Sequence, residues 1–109
     1  LLAIDKKLIN NKKERKEMQK IANRNGSEYT SKLVEFKGNN TFSEWKKEGC
    51  YVVYSYGYHF PLYACIGGMW YKNSDKYSAS TSKQQTQLHP LEECIEVDTK
   101  TLKQLVANS

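Results

Sequence analysis

No stretch of this chain approaches the roughly 18–20 consecutive apolar residues that a bilayer-spanning helix needs. The opening Leu1-Leu2-Ala3-Ile4 is too short for the apolar core of a secretion signal. A cytoplasmic protein without membrane contact is expected. Cysteine is scarce, and Cys50, Cys65 and Cys94 are odd in number and far apart, which excludes the close spacing of a zinc knuckle or a redox pair. Each has apolar or aromatic neighbours, as in Gly49-Cys50-Tyr51-Val52, Ala64-Cys65-Ile66 and Cys94-Ile95, so all three are expected to be reduced thiols acting as small core hydrophobes. With only His59 and His89 and scattered carboxylates there is little to bind a metal ion, and neither a metal nor another cofactor is expected. The Gly-x-Ser-x-Gly elbow, the His-x-x-x-His pair and the phosphate-cradling glycine loop are all missing. His59 beside a Tyr-rich strand, with Ser82 and Lys83 downstream, invites a nucleophile-and-base reading. Without one of those frames it does not make a catalytic signature, and a non-catalytic protein is expected.

What is present is charge gathered at one end. Residues 1–24 hold Lys6, Lys7, Lys12, Lys13, Arg15, Lys16, Lys20 and Arg24 against Asp5, Glu14 and Glu17, a net +5, whereas residues 25–109 carry nine basic and nine acidic side chains and sum to zero. A segregated positive field attracts a polyanion or an acidic protein face better than scattered charge does. At 109 residues the chain is one domain's worth, divided into a basic arm over 1–26 and a body over 27–109. Because it begins at Leu1 rather than Met, a few native residues, which would lengthen the arm, or a tag are expected ahead of it.

The arm reads as a helix over 3–24, lacking Pro and Gly and placing Ile4, Leu8, Met18, Ile21 and Ala22 at helical spacing. From Asn10 to Glu17 it has no apolar residue, so that part must be solvated or held by a partner. Asn23, Asn25 and Gly26 stop it, with Gly26 in the left-handed position past the end. Lys32-Leu33-Val34-Glu35-Phe36 alternates as a first strand, ended by Gly38-Asn39-Asn40, and Thr41-Phe42-Ser43-Glu44 matches the capping box of one short helical turn. Cys50–Tyr56 is almost entirely β-branched or aromatic, and Tyr58–Ile66 is a second such run whose Pro61 implies an edge or a bulge. Gly67-Gly68 joins Leu62–Ile66 to Met69–Tyr71 as a two-residue hairpin, and Lys76-Tyr77-Ser78 begins a further strand. Ser80–Gln87 is eight polar residues without periodicity. Glu93–Val97 closes the strands, and Asp98 or Thr99 caps a last helix whose stripe is Leu102, Leu105 and Val106. The expected class is α+β: an N-terminal basic helix, an antiparallel meander of four or five strands and a C-terminal helix.

The central segment, Tyr51-Val52-Val53-Tyr54-Ser55-Tyr56-Gly57-Tyr58-His59-Phe60-Pro61, followed by Trp70-Tyr71-Lys72-Asn73, Lys76-Tyr77-Ser78 and Ser80-Thr81-Ser82-Lys83-Gln84-Gln85, resembles a small domain of unknown function found in phage and mobile-element proteins. That pattern runs from a VVYSYG-x-HFP strand to a TTSKHQ stretch and covers roughly residues 50–90. The resemblance implies phage or plasmid origin and supplies no activity. Gln84 stands where the pattern has His, which argues against a catalytic or metal-binding role at that position.

Three segments are candidates for partner contact. In the arm, Lys7, Lys12, Lys13, Arg15, Lys16, Lys20 and Arg24 would meet phosphates or an acidic protein surface, the arginines through forked bonds, or would form a solvated helix face. The tyrosines would form a stacking or binding platform, with Tyr54, Tyr56 and Tyr58 beside His59 on one strand face, or would roof a thin core. The polar run, with Ser82, Lys83 and Gln85, would bond a nucleic-acid backbone or a protein rim, or would be an exposed loop. Two functions fit. The first is a phage-encoded inhibitor that blocks a host defence nuclease or ribonucleoprotein complex sterically, as anti-CRISPR proteins do, by contact with its protein or guide RNA. The second is an accessory domain that binds DNA or RNA directly.

Overall fold

The computed structural model describes residues 19–75 and 79–109, which form strands β1 (Gln19–Lys20), β2 (Phe36–Lys37), β3 (Thr41–Lys47), β4 (Cys50–Ser55), β5 (Pro61–Ile66), β6 (Met69–Asn73) and β7 (Ile95–Val97) and helices α1 (Gly26–Ser31), α2 (Ala79–Gln87) and α3 (Thr99–Asn108). The strands lie in one sheet in chain order. From β2 to β6 each pair is antiparallel, whereas β1 with β2 and β6 with β7 are parallel. The expectation of a purely antiparallel sheet is corrected at its edges. Connections 21–35 and 74–94 are long enough to carry α1 and α2 across the sheet, as a parallel pairing requires.

Strand β4 explains the layering. Its six residues are all buried, as expected of a strand covered on both faces. Tyr51 and Val53 face a core shared with Phe36, Tyr63, Trp70 and Leu88, and Cys50, Val52 and Tyr54 face a second core with Ala64 and Leu102. Helices α1 and α2 lie over the first face, and α3 packs on β5 and β6 over the second. Cys50 and Cys65 are buried free thiols, while Cys94 is half-buried. Burial pushes the Tyr51 and Tyr63 phenols far above their usual range, so both remain neutral donors, to the Val34 carbonyl at 2.8 Å and the Gln85 carbonyl at 2.7 Å.

Several local expectations stand. Gly67 and Gly68 take φ of 59° and 85° between the paired Ile66 and Met69, the doubly positive turn that only glycine enters without strain. Pro61 sits at a bulge, where the register against β4 shifts between Val53 and Tyr54. Asp98 caps α3 by accepting the Thr101 amide at 2.8 Å.

Other expectations are overturned. Thr41–Glu44 belongs to β3, because pairing Phe42 with Tyr54 and Ser43 with Val53 satisfies more backbone than one capped turn could. Of Lys32–Phe36 only Phe36 is in a strand, and the preceding residues follow α1 with Leu33 at φ 58°. Gly26 is not left-handed but opens α1 at φ −70°. Ser80–Gln87 lies within α2. The arm helix does not extend through residues 19–24, which form β1 and enter the 3-10 turn Asn23–Asn25. Ile21 packs against the first core. The expected helix over 3–18 and the strand beginning at 76–78 lie outside the described residues.

Candidate functional site

Where α2 meets the 3-10 turn and the β4–β5 connection, the surface closes into a polar cleft of about 400 Å³. Arg24, Lys83 and Tyr56 line it, three candidates 59 residues apart along the chain and here brought to one place. Asn23 and Gln84, both buried, form its floor, and exposed Asn39 and Asn40 complete the rim. None of its lining residues is acidic, a thiol or an imidazole.

The floor is set by internal hydrogen bonds. The Ser55 hydroxyl donates to Gln84 Oε1 at 2.5 Å, and Asn23 Oδ1 accepts both the Thr41 hydroxyl at 2.9 Å and the Asn39 amide at 3.0 Å. Asn23 Oδ1 is thereby filled by two donors, and Gln84 Oε1 is held by one. Gly38 makes the Asn23 hub possible, since a Cβ there would lie 2.1 Å from Asn23 Oδ1.

Tyr56 departs from the strand alternation that would put it beside Tyr54. Its φ is 64°, a left-handed conformation that costs a non-glycine residue about 1–2 kcal/mol, and its amide donates to the Asn40 carbonyl at 2.7 Å. The ring is 61% exposed. Strain held under an exposed side chain that lines a cleft is explained if the ring is used there. Tyr56→Gly is expected to stabilise the fold by about 0.5–1 kcal/mol in chemical denaturation, relief of the left-handed strain outweighing the added freedom of the unfolded chain.

Tyr58 turns back toward β4, and its ring meets Tyr54 at 5.0 Å and Phe42 at 5.1 Å, edge to face. Its hydroxyl donates to Glu44 at 3.0 Å, and the Lys46 ammonium stands 4.5 Å from its ring centroid. That hydrogen bond, more than burial, raises the Tyr58 pKa. Tyr54 is only 4% exposed and, stacked on Phe42 at 5.1 Å, roofs the second core. Gln85 is buried as well. It is 2% exposed and its Nε2 donates to the Asn73 carbonyl at 2.5 Å, fastening α2 to β6. His59 and Lys83 are exposed and Ser82 is half-buried. Lys20 is exposed at the end of β1, while Lys7, Lys12, Lys13, Arg15 and Lys16 lie outside the described residues. Against known protein families, curated proteins and solved structures, the chain has no significant match.

The segments around Ser55, Asn73 and Gln84-Gln85 meet inside the molecule. Ser55 of the first bonds Gln84 of the last, and Asn73 of the middle one accepts from Gln85. Gln84 therefore serves as a buried hydrogen-bond acceptor, a task an imidazole nitrogen also performs. The cleft residues that sequence reasoning missed are Asn23, Asn39 and Asn40, read only as turn formers, and Gln84. They lie in three separate polar stretches, at 23, 39–40 and 84, which have no common meaning until the fold gathers them.

A second cavity, of about 620 Å³, is lined by Glu92, Glu93, Glu96, Lys72, His89 and Cys94 among others. Burial, with a smaller contribution from Lys72, lowers the His89 pKa, and burial raises that of the Cys94 thiol. Glu92 is engaged by the Trp70 indole at 3.1 Å. Among the described residues no three or more His, Cys, Asp and Glu side chains are placed to share a metal ion.

Proposed function

We propose that this protein is a non-catalytic binder of single-stranded nucleic acid, holding the phosphate backbone with its basic arm and with the Arg24–Lys83 cleft. The observation that carries this reading is the convergence of two cations, an exposed tyrosine and oriented amides in one cleft without a carboxylate among its lining residues. Cations that track phosphates beside π-faces on which bases stack are the recurrent solution for single strands, because every base offers a face and every nucleotide a charge. Tyr56, Tyr58 and His59, all exposed on the β4–β5 connection, supply such faces within four residues. Lys20 and Arg24 lead from the arm to the cleft.

The test is fluorescence anisotropy with a random-sequence 20-nucleotide DNA or RNA. Submicromolar affinity at moderate salt is expected, and replacing Lys12, Lys13, Arg15 and Lys16 with Ala should weaken it at least about tenfold and flatten its salt dependence, since each lost phosphate contact removes up to about 0.7 from the log–log slope. Unchanged binding would remove the arm from the account.

A second reading is favoured by the exposed ring of Tyr58 beside half-buried Phe42 and by the resemblance to a phage domain. In it the protein blocks a host defence nuclease complex, the arm on guide RNA or an acidic surface and the aromatic patch at the desolvated centre. No detectable binding to bare oligonucleotide, together with recovery of a nuclease when the protein is purified from its bacterial host, would decide for it.

A further inference from the structure

We propose that the Arg24–Lys83 cleft is a receptor for a phosphomonoester carried by a nucleotide, namely the terminal phosphate of a single strand, with the terminal base laid on Tyr56. This rests on the nucleic-acid reading above and narrows it from backbone tracking to recognition of an end.

The donor chemistry comes first. A phosphate offers only acceptors, so a site for it must present donors and withhold acceptors. Arg24 and Lys83 have no acceptor atoms in their side chains. The side-chain oxygens of Asn23 and Gln84 already accept from Thr41, Asn39 and Ser55. Asn39, Asn40 and Gln87 add further amides to the lining, each able to turn its NH2 group toward a phosphate.

Charge then distinguishes an end from an internal link. A phosphodiester carries one negative charge, whereas a phosphomonoester carries about −1.5 to −2 at neutral pH and three terminal oxygens. Two cations with no acidic residue in the lining match the charge of the monoester more closely than that of an internal phosphate.

Size and stacking indicate that the phosphate does not arrive alone. At about 400 Å³ the cleft falls in the range of roughly 300–1,000 Å³ typical of small-ligand sites, larger than an inorganic anion requires. The strained Tyr56 stands at its rim, with its amide bonded to Asn40 and the preceding Ser55 bonded to the floor. Base stacking on an aromatic side chain is worth about 1–3 kcal/mol, enough to offset that strain.

The experiment compares ten-nucleotide DNA strands bearing a 5′-phosphate, a 3′-phosphate or hydroxyls at both ends, with dTMP as a free-nucleotide competitor. One phosphorylated end is expected to bind about tenfold tighter than the hydroxyl strand, and Arg24→Ala and Lys83→Ala should each bring that ratio close to one. Both residues are exposed, and unchanged thermal unfolding of the variants would show that folding is intact. Competition by dTMP would assign the site to free nucleotides as well as strand ends, and end preference without such competition would assign it to strand ends alone; both support the receptor. Equal affinity for all three strands, or a preference that survives both substitutions, overturns the terminal site while leaving backbone binding in place. No binding of any strand overturns both.

Discussion

Replacing Asn73 with leucine, a side chain of nearly the same size, is expected to lower the free energy of unfolding by about 3 kcal/mol, with the folded baseline preserved. Asn73 is wholly buried at the end of β6, where its Nδ2 donates to the Pro61 carbonyl at 2.7 Å and to the Thr99 hydroxyl at 2.9 Å, and its Oδ1 accepts the Asp75 amide at 2.8 Å. One side chain thus ties the start of β5, the start of α3 and the turn after β6. Leucine fills the space but removes partners from a buried carbonyl and a backbone amide, and each such group costs about 1–3 kcal/mol when left unpaired. Thr99→Val, which removes only one of these bonds to Asn73, should cost less, although its hydroxyl also donates to Asp75 at 2.7 Å. Urea denaturation monitored by tryptophan fluorescence reads both variants. A loss below about 1 kcal/mol for Asn73→Leu would mean that the network is not what holds this corner.

The second large effect belongs to the opposite face. Leu102→Ala should cost about 3 kcal/mol, within the range of about 2–5 kcal/mol seen for buried leucines. Leu102 is the fully buried residue of α3 and fills the second core beside Cys50, Val52, Tyr54 and Ala64. Its neighbours on the stripe, Leu105 and Val106, are only half-buried, so they cannot take over when it is removed. Because α3 packs on β5 and β6 and not on the cleft, nucleotide binding measured well below the melting temperature should be unaffected. A variant that kept full stability would show that α3 is an accessory to the sheet and not a cover that it needs.

Ser55, Asn73, Gln84 and Gln85 sit in the buried network that locks α2 and the sheet together, whereas Tyr56 and Lys83, neighbours of two of them in sequence, face outward into the cleft. Adjacent residues of one motif therefore carry opposite duties, architecture and contact, and only burial distinguishes them.

Helix α2 shows why this was hard to read. Its buried positions, Thr81, Gln84, Gln85 and then Leu88, follow the i, i+3, i+4, i+7 spacing of a helix face. Three of the four are polar, so a search for apolar periodicity finds nothing there. Strand β3 is the converse case, in which a valid capping-box pattern at Thr41–Glu44 yields to cross-strand pairing with β4. A local signal worth about 1 kcal/mol does not survive a full ladder of backbone hydrogen bonds and side-chain contacts.

Local chemistry alone determined the elements whose driving force lies within a few residues: the β-branched and aromatic runs of β4 and β5, the Gly67-Gly68 turn, the Asp98 cap of α3 and the segregation of charge. Tertiary structure decided the parallel edges, the fate of Thr41–Lys47 and of the polar run, and the meeting of Arg24, Tyr56 and Lys83. The physical reason is range. A turn or a cap is set by the steric and hydrogen-bonding needs of adjacent residues, whereas a cleft depends on which distant groups the sheet and its crossing helices bring together.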